Sequence, residues 1–113
     1  MIEKYSFGRM TVDGREYRKD LKIIQGRVES DWWRKQGHLV DAADLEDVLS
    51  AKPSILVVGM GDSGLMKVAE NLRDVLAGSR IDLLASPTAE ALKVFNRLAS
   101  EGENVAGAFH LTC

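Results

Sequence analysis

The sequence predicts an α/β fold: an antiparallel, hairpin-rich N-terminal third followed by a βαβαβ C-terminal half. Three observations carry that expectation. Apolar residues alternate with polar ones around tight-turn signals up to Ile24. The apolar spacing changes to a helical one at Asp41. From Ile55 onward, strand-like and helix-like runs alternate through connections so short that the strands must be parallel neighbours with right-handed crossovers.

Taken in order, Met10 and Val12 alternate with polar neighbours, Asp13-Gly14 is a type I′ hairpin signal, and Tyr17, Leu21, Ile23 and Ile24 continue the pattern. The stretch Arg27 to His38, RVESDWWRKQGH, mixes β-branched and aromatic residues up to a break at Gly37, which predicts a further strand ending in a loop. Asp41 suits a helix N-cap, Asp44 and Glu46 place negative charge in the first turn, and Leu45, Val48 and Leu49 share a face. That helix must stop before Pro53.

ILVV at residues 55–58 reads as a buried strand. Leu65, Val68, Ala69, Leu72, Val75 and Leu76 then predict a helix directly after the glycine-rich turn, ended by Gly78. Ile81–Ala85 is a second strand. Pro87 falls just inside a second helix start, with Ser86 or Thr88 as its cap and Ala91, Leu92, Phe95 and Leu98 as its buried stripe. A last strand is expected from Val105 to Leu111.

Composition narrows the function classes. A chain of 113 residues fits one domain able to bury about two-thirds of its unfolded surface. A net charge of −2 with scattered Lys and Arg lacks the basic footprint of a nucleic-acid binder. The longest unbroken apolar run, Ile55–Val58, is far short of the roughly 20 residues of a membrane-spanning helix. The start, MIEKYSFGRM, has neither an apolar signal core nor an Arg-rich amphipathic pattern, and the single Cys113 suits a reducing compartment, so a cytoplasmic location is expected.

Gly59-Met60-Gly61-Asp62-Ser63-Gly64 spells G-x-G-x-x-G, the dinucleotide-binding pattern, in which glycines permit a tight turn and close approach of a pyrophosphate to a helix N-terminus. Two further requirements fail. The acid about 20 residues on, Asp82, sits at the start rather than the end of the second strand, and only one mononucleotide half is present. No cofactor is expected. A small anion held by the backbone N–H groups of Gly61 to Gly64 is the remaining chemical reading.

Other candidates are weaker. His110 and Cys113 are spaced to point to opposite sides of a strand, GDSGL does not fit the G-x-S-x-G nucleophile elbow, and no metal site or catalytic set is expected. Adjacent Trp32 and Trp33 should point one inward and one outward. The outward ring, beside Arg34, would mark a partner surface or floor a pocket.

Five segments, YSFGRMTVDGREY, DWWRKQGH, KPSILVVGMGDSG, SPTAEALKVFN and VAGAFHLTC, together resemble the small Mth-type domain family of bacteria and archaea. Two human branches, an adipogenesis-associated protein and a mitochondrial complex I assembly factor, are similar to it. The resemblance implies a three-layer fold over residues 1–113, with a central mixed sheet and an N-terminal hairpin layer. It implies no established enzyme activity or cofactor, and assembly roles in animals. Members commonly carry Gly-Thr-Gly where this chain has Gly59-Met60-Gly61, which removes a hydroxyl from the turn.

The expected function is therefore a non-enzymatic protein-interaction or assembly-type module. The alternative is a binder of a small anionic metabolite at the Gly59–Gly64 turn, with Trp33, His38 and His110 lining the site beside Gly59, Gly61, Asp62, Ser63 and Gly64.

Overall fold

The computed structural model describes residues 1–113. Its strands are β1 (Ile2–Ser6), β2 (Arg9–Val12), β3 (Arg15–Tyr17), β4 (Leu21–Ile24), β5 (Arg27–Glu29), β6 (Leu39–Val40), β7 (Ile55–Met60), β8 (Lys67–Val68), β9 (Asp82–Ser86) and β10 (Val105–His110). Its helices are α1 (Glu46–Ala51), preceded by a 3₁₀ turn at Ala42–Leu45, α2 (Glu70–Gly78) and α3 (Thr88–Ser100).

The central sheet has the order β5-β4-β10-β7-β9 and is mixed. β10, β7 and β9 are parallel, while β4 runs antiparallel to both β10 and β5. β1, β2 and β3 form a separate antiparallel meander, and the Asp13-Gly14 turn between β2 and β3 takes positive φ at both residues, as a type I′ hairpin requires.

Three layers follow from strand alternation. Leu56 and Val58 of β7 and Ala106 and Ala108 of β10 face one core, covered by Val48 of α1 and Leu72 and Leu76 of α2. Val57, Val105 and Phe109 face the other, covered by Ala91, Phe95 and Leu98 of α3 and by Ile2, Met10 and Val12 of the meander. Phe95 and Phe109 meet edge to face, with centroids 5.7 Å apart. Asn96 ties the meander to α3: its side-chain oxygen accepts from Ile2 N–H and its amide nitrogen donates to Ile2 C=O.

Three local expectations are corrected. The strand expected over residues 27–38 stops at Glu29, because Asp31 adopts a left-handed conformation (φ 57°) that breaks the extended run. The helix expected right after the glycine turn starts only at Glu70, because Lys67–Val68 pairs with Leu39–Val40 as a short parallel strand and leaves Leu65 exposed. Pro87 is itself the N-cap of α3, and neither Ser86 nor Thr88 caps it with a side chain. Gly78 does end α2 as expected, as its last residue, and Arg80 (φ 58°) takes the left-handed position beyond it. Asp41 does cap as expected, through a reciprocal box with Asp44.

Candidate functional site

The C-terminal ends of β10, β7 and β9 lie side by side, and β7 and β9 feed helices on opposite faces of the sheet. Open α/β sheets usually receive ligands in such a crevice. Here the glycine turn leaves β7 and folds over the start of α3. A methyl group at Gly59 would stand 2.8 Å from Thr88 Oγ1 and 2.9 Å from Phe109, and one at Gly61 (φ +98°) would stand 2.7 Å from Thr112 C=O. Both positions need glycine for close approach, and neither glycine opens a helix.

The donors expected for an anion are engaged inside the chain. Gly61 N–H donates to Thr88 Oγ1 (3.0 Å), Asp62 N–H to Thr112 C=O (2.7 Å) and Gly64 N–H to Gly61 C=O (3.3 Å). Thr88, fully buried, donates its own hydroxyl proton to His110 C=O at 2.6 Å. Thr88 N–H in turn donates to Gly61 C=O (3.0 Å). One threonine thus stitches together β7, α3 and β10, and of the donors proposed for an anion the Ser63 N–H alone has no acceptor.

His110 belongs to a second, partly buried polar cluster. Its Nδ1 lies 2.7 Å from Asp20 Oδ2, and Arg34 Nη2 lies 2.9 Å from the same oxygen. An ionised carboxylate only accepts, so Nδ1 carries the proton, and the 3.1 Å approach of Arg34 Nη2 to Nδ1 is two donors converging on Asp20. Leu111 N–H donates to Asp20 Oδ1 (2.8 Å), and Arg34 Nη2 also reaches Gly37 C=O (2.8 Å). Burial raises the Asp20 pKa, but hydrogen bonds from His110 and Leu111 and the charges of His110 and Arg34 outweigh it and hold Asp20 below the usual carboxylate range.

Around this cluster, Trp32 offers its ring to the Arg34 guanidinium (4.5 Å) and donates its indole N–H to Asp44 C=O (3.0 Å). His38 meets His110 edge to face, with centroids 5.9 Å apart. Tyr5 donates to Leu111 C=O (3.1 Å), and burial, reinforced by the negative charges of Asp62 and Asp20, pushes its hydroxyl up to about 12. Arg34 Nε and Nη1 and His110 Nε2 are buried without a hydrogen-bond partner.

The structure therefore brings Gly59, Gly61, His110 and His38 into one neighbourhood and sets Trp33 apart. A methyl at Gly61 would stand 2.9 Å from His110 Cδ2, so turn and imidazole touch. Trp33 is 77% exposed and borders two surface depressions of ≈330 and ≈430 Å³, shared with Lys19, Lys35, Asp31 and the edge of Trp32. Sequence reasoning missed Asp20 and Thr88, which are separated from His110 by 90 and 22 residues. It named Arg34 only as a neighbour of Trp33; an arginine directly after two tryptophans was the available signal. Cys113 is exposed, and no three His, Cys, Asp or Glu side chains converge to hold a metal.

Residues 2–110 match a family model described as "Protein of unknown function (DUF498/DUF598)". The chain belongs to this family. Solved relatives carry the same fold over almost the whole length. A protein called MT938 is 32% identical, with 100% of this chain and 98% of that one covered, at a TM-score of 0.83. A conserved hypothetical protein from Pyrococcus horikoshii is 27% identical over 100% and 99%, at 0.86. A Bordetella pertussis protein described as a Mth938-like domain shares the fold at 18% identity over 97% and 84%, at 0.79. The family likeness expected from the five segments is thus confirmed, together with the three-layer mixed-sheet fold. As for membranes, no helix is long and apolar enough to cross one.

Proposed function

We propose that this chain is a single-domain, cytoplasmic, non-enzymatic module that binds a protein partner through the tryptophan loop. The observation that carries this reading is Trp33, a large aromatic ring held 77% exposed next to an anchored twin. Trp32 fixes the loop from below through its indole bond to Asp44 and its own N–H bond to Asp20 C=O (2.8 Å). Trp33 is therefore presented on a braced loop and loses little conformational freedom on binding. Tryptophan with flanking charges is the composition of interface hot spots. Quantitative affinity capture from source-cell lysate, comparing wild type with Trp33→Ala and with the distant surface variant Glu103→Ala, tests it. A protein enriched by wild type and Glu103→Ala but lost with Trp33→Ala supports the reading. The same background with all three overturns it.

A second reading, a small anionic metabolite, is favoured by the unpartnered buried nitrogens of Arg34 and His110 beside the glycine turn. Its donors would be Arg34 Nε and Nη1 together with Ser63 N–H, since the other turn amides are engaged and the His110 ring proton is directed at Asp20. A thermal-shift screen with phosphate, sugar phosphates and dicarboxylates tests it: ligand at 100 times its dissociation constant adds about 2.7 kcal/mol of stability. A flat screen sinks it.

A further inference from the structure

The two edges of the central sheet differ. β5, at one edge, has three residues and carries Arg27 and Glu29, a short charged edge of the kind that discourages pairing. β9, at the other, pairs only with β7, in unbroken register from Asp82 to Ser86, and contains no Pro, Lys or Arg. Its middle residue, Leu84, is 42% exposed. Asp82 N–H donates to Ser54 C=O on the inner side. By strand alternation Leu84 and Ser86 also turn their backbone groups inward, and the N–H and C=O of Leu83 and Ala85 face outward.

Beside this edge a groove of ≈470 Å³ separates β9 from α3, lined by Leu84, Val57 and Val94 with Glu90 and Arg97. Glu90 and Arg97 lie seven residues apart on the same helix face, about 5 Å either side of the level of Val94 along the axis. Neither side chain makes an ion pair within the chain.

We infer that β9 pairs antiparallel with β9 of a second copy of this chain, about a two-fold axis through Leu84. The pattern is self-complementary at each level. Leu83 of one copy meets Ala85 of the other, and each such pair exchanges both outward backbone hydrogen bonds. The two Leu84 side chains meet at a non-hydrogen-bonded position, where side chains approach most closely. Asp82 faces Ser86, not a second Asp82. The axis sets the two α3 helices antiparallel on one face of a continuous ten-stranded sheet, which carries Glu90 of each copy toward Arg97 of the other. A closed two-fold contact of this kind uses one patch twice and leaves only the two short, charged β5 edges open. It leaves the Trp33 loop free, so it stands independently of the partner proposed above.

Sedimentation velocity on the full chain tests it. Wild type is expected at twice the 12.4 kDa chain mass at high protein concentration. Leu84→Glu is expected to be monomeric with an unchanged circular dichroism spectrum, since the residue is exposed. Glu90→Arg and Arg97→Glu each weaken dimerisation roughly five- to tenfold, because two symmetric pairs are lost and like charges face one another. The double exchange restores it. A monomeric wild type, a dimer indifferent to Leu84→Glu, or a double exchange weaker than either single variant overturns the inference.

Discussion

Around Gly61 the backbone donors that an anion would need are already bonded to Thr88, Thr112 and Gly61 itself, whereas around Trp33 an indole ring, Lys19, Lys35 and Asp31 border open depressions. The first region occupies the place where open α/β sheets usually bind ligands; the second is an irregular loop off the sheet edge. The difference teaches that a glycine signature reports backbone approach. What approaches can be a phosphate or the rest of the protein, and here it is α3, Phe109 and the C-terminal residues.

The sharpest way to break this contrast is to remove Asp20. Asp20→Ala leaves Arg34 and His110 buried without their carboxylate, and a loss of about 3–5 kcal/mol in denaturant-determined stability is expected. Thr88→Val, nearly isosteric, strands Gly61 N–H and His110 C=O together and should cost about 2–3 kcal/mol by the same measurement. A cost below about 0.5 kcal/mol would show that the turn is held by something else.

Acid sharpens the contrast further. The folded-state pKa of Asp20 lies below its unfolded value, so the unfolded chain binds the proton more readily. The stability Asp20 contributes is complete above the unfolded carboxylate pKa, about 3.9, and is lost as pH falls through the lower folded value. Stability measured from about pH 5 downward should fall more steeply in wild type than in Asp20→Asn. Equal slopes would contradict the network. The smallest effect belongs to the other region: Trp33→Ala should change stability by less than about 0.5 kcal/mol, as an exposed side chain with no internal partner.

The same contrast explains what was legible in the sequence. Asp13-Gly14, the ILVV run and the stripe of α3 act through neighbours three or four residues away, so their pattern is visible locally. The one-in, one-out placement of Trp32 and Trp33 was also expected, although a braced loop and not strand alternation produces it. Two features escaped because their cause is distant. Lys67–Val68 becomes a strand only because Leu39–Val40 is there to receive it, which delays α2 and removes the helix from the glycine motif. Asp20 matters only because the chain returns His110 and Leu111 to it 90 residues later.

Hydrogen exchange on ¹⁵N-labelled protein reads both regions in one experiment. The N–H groups of Gly61 and Asp62 and the Trp32 indole should be strongly protected, while Ser63 N–H and the Trp33 indole exchange at the rate of exposed groups. Free exchange at Gly61 and Asp62 would contradict the account, because it would leave the glycine turn open to an anion after all.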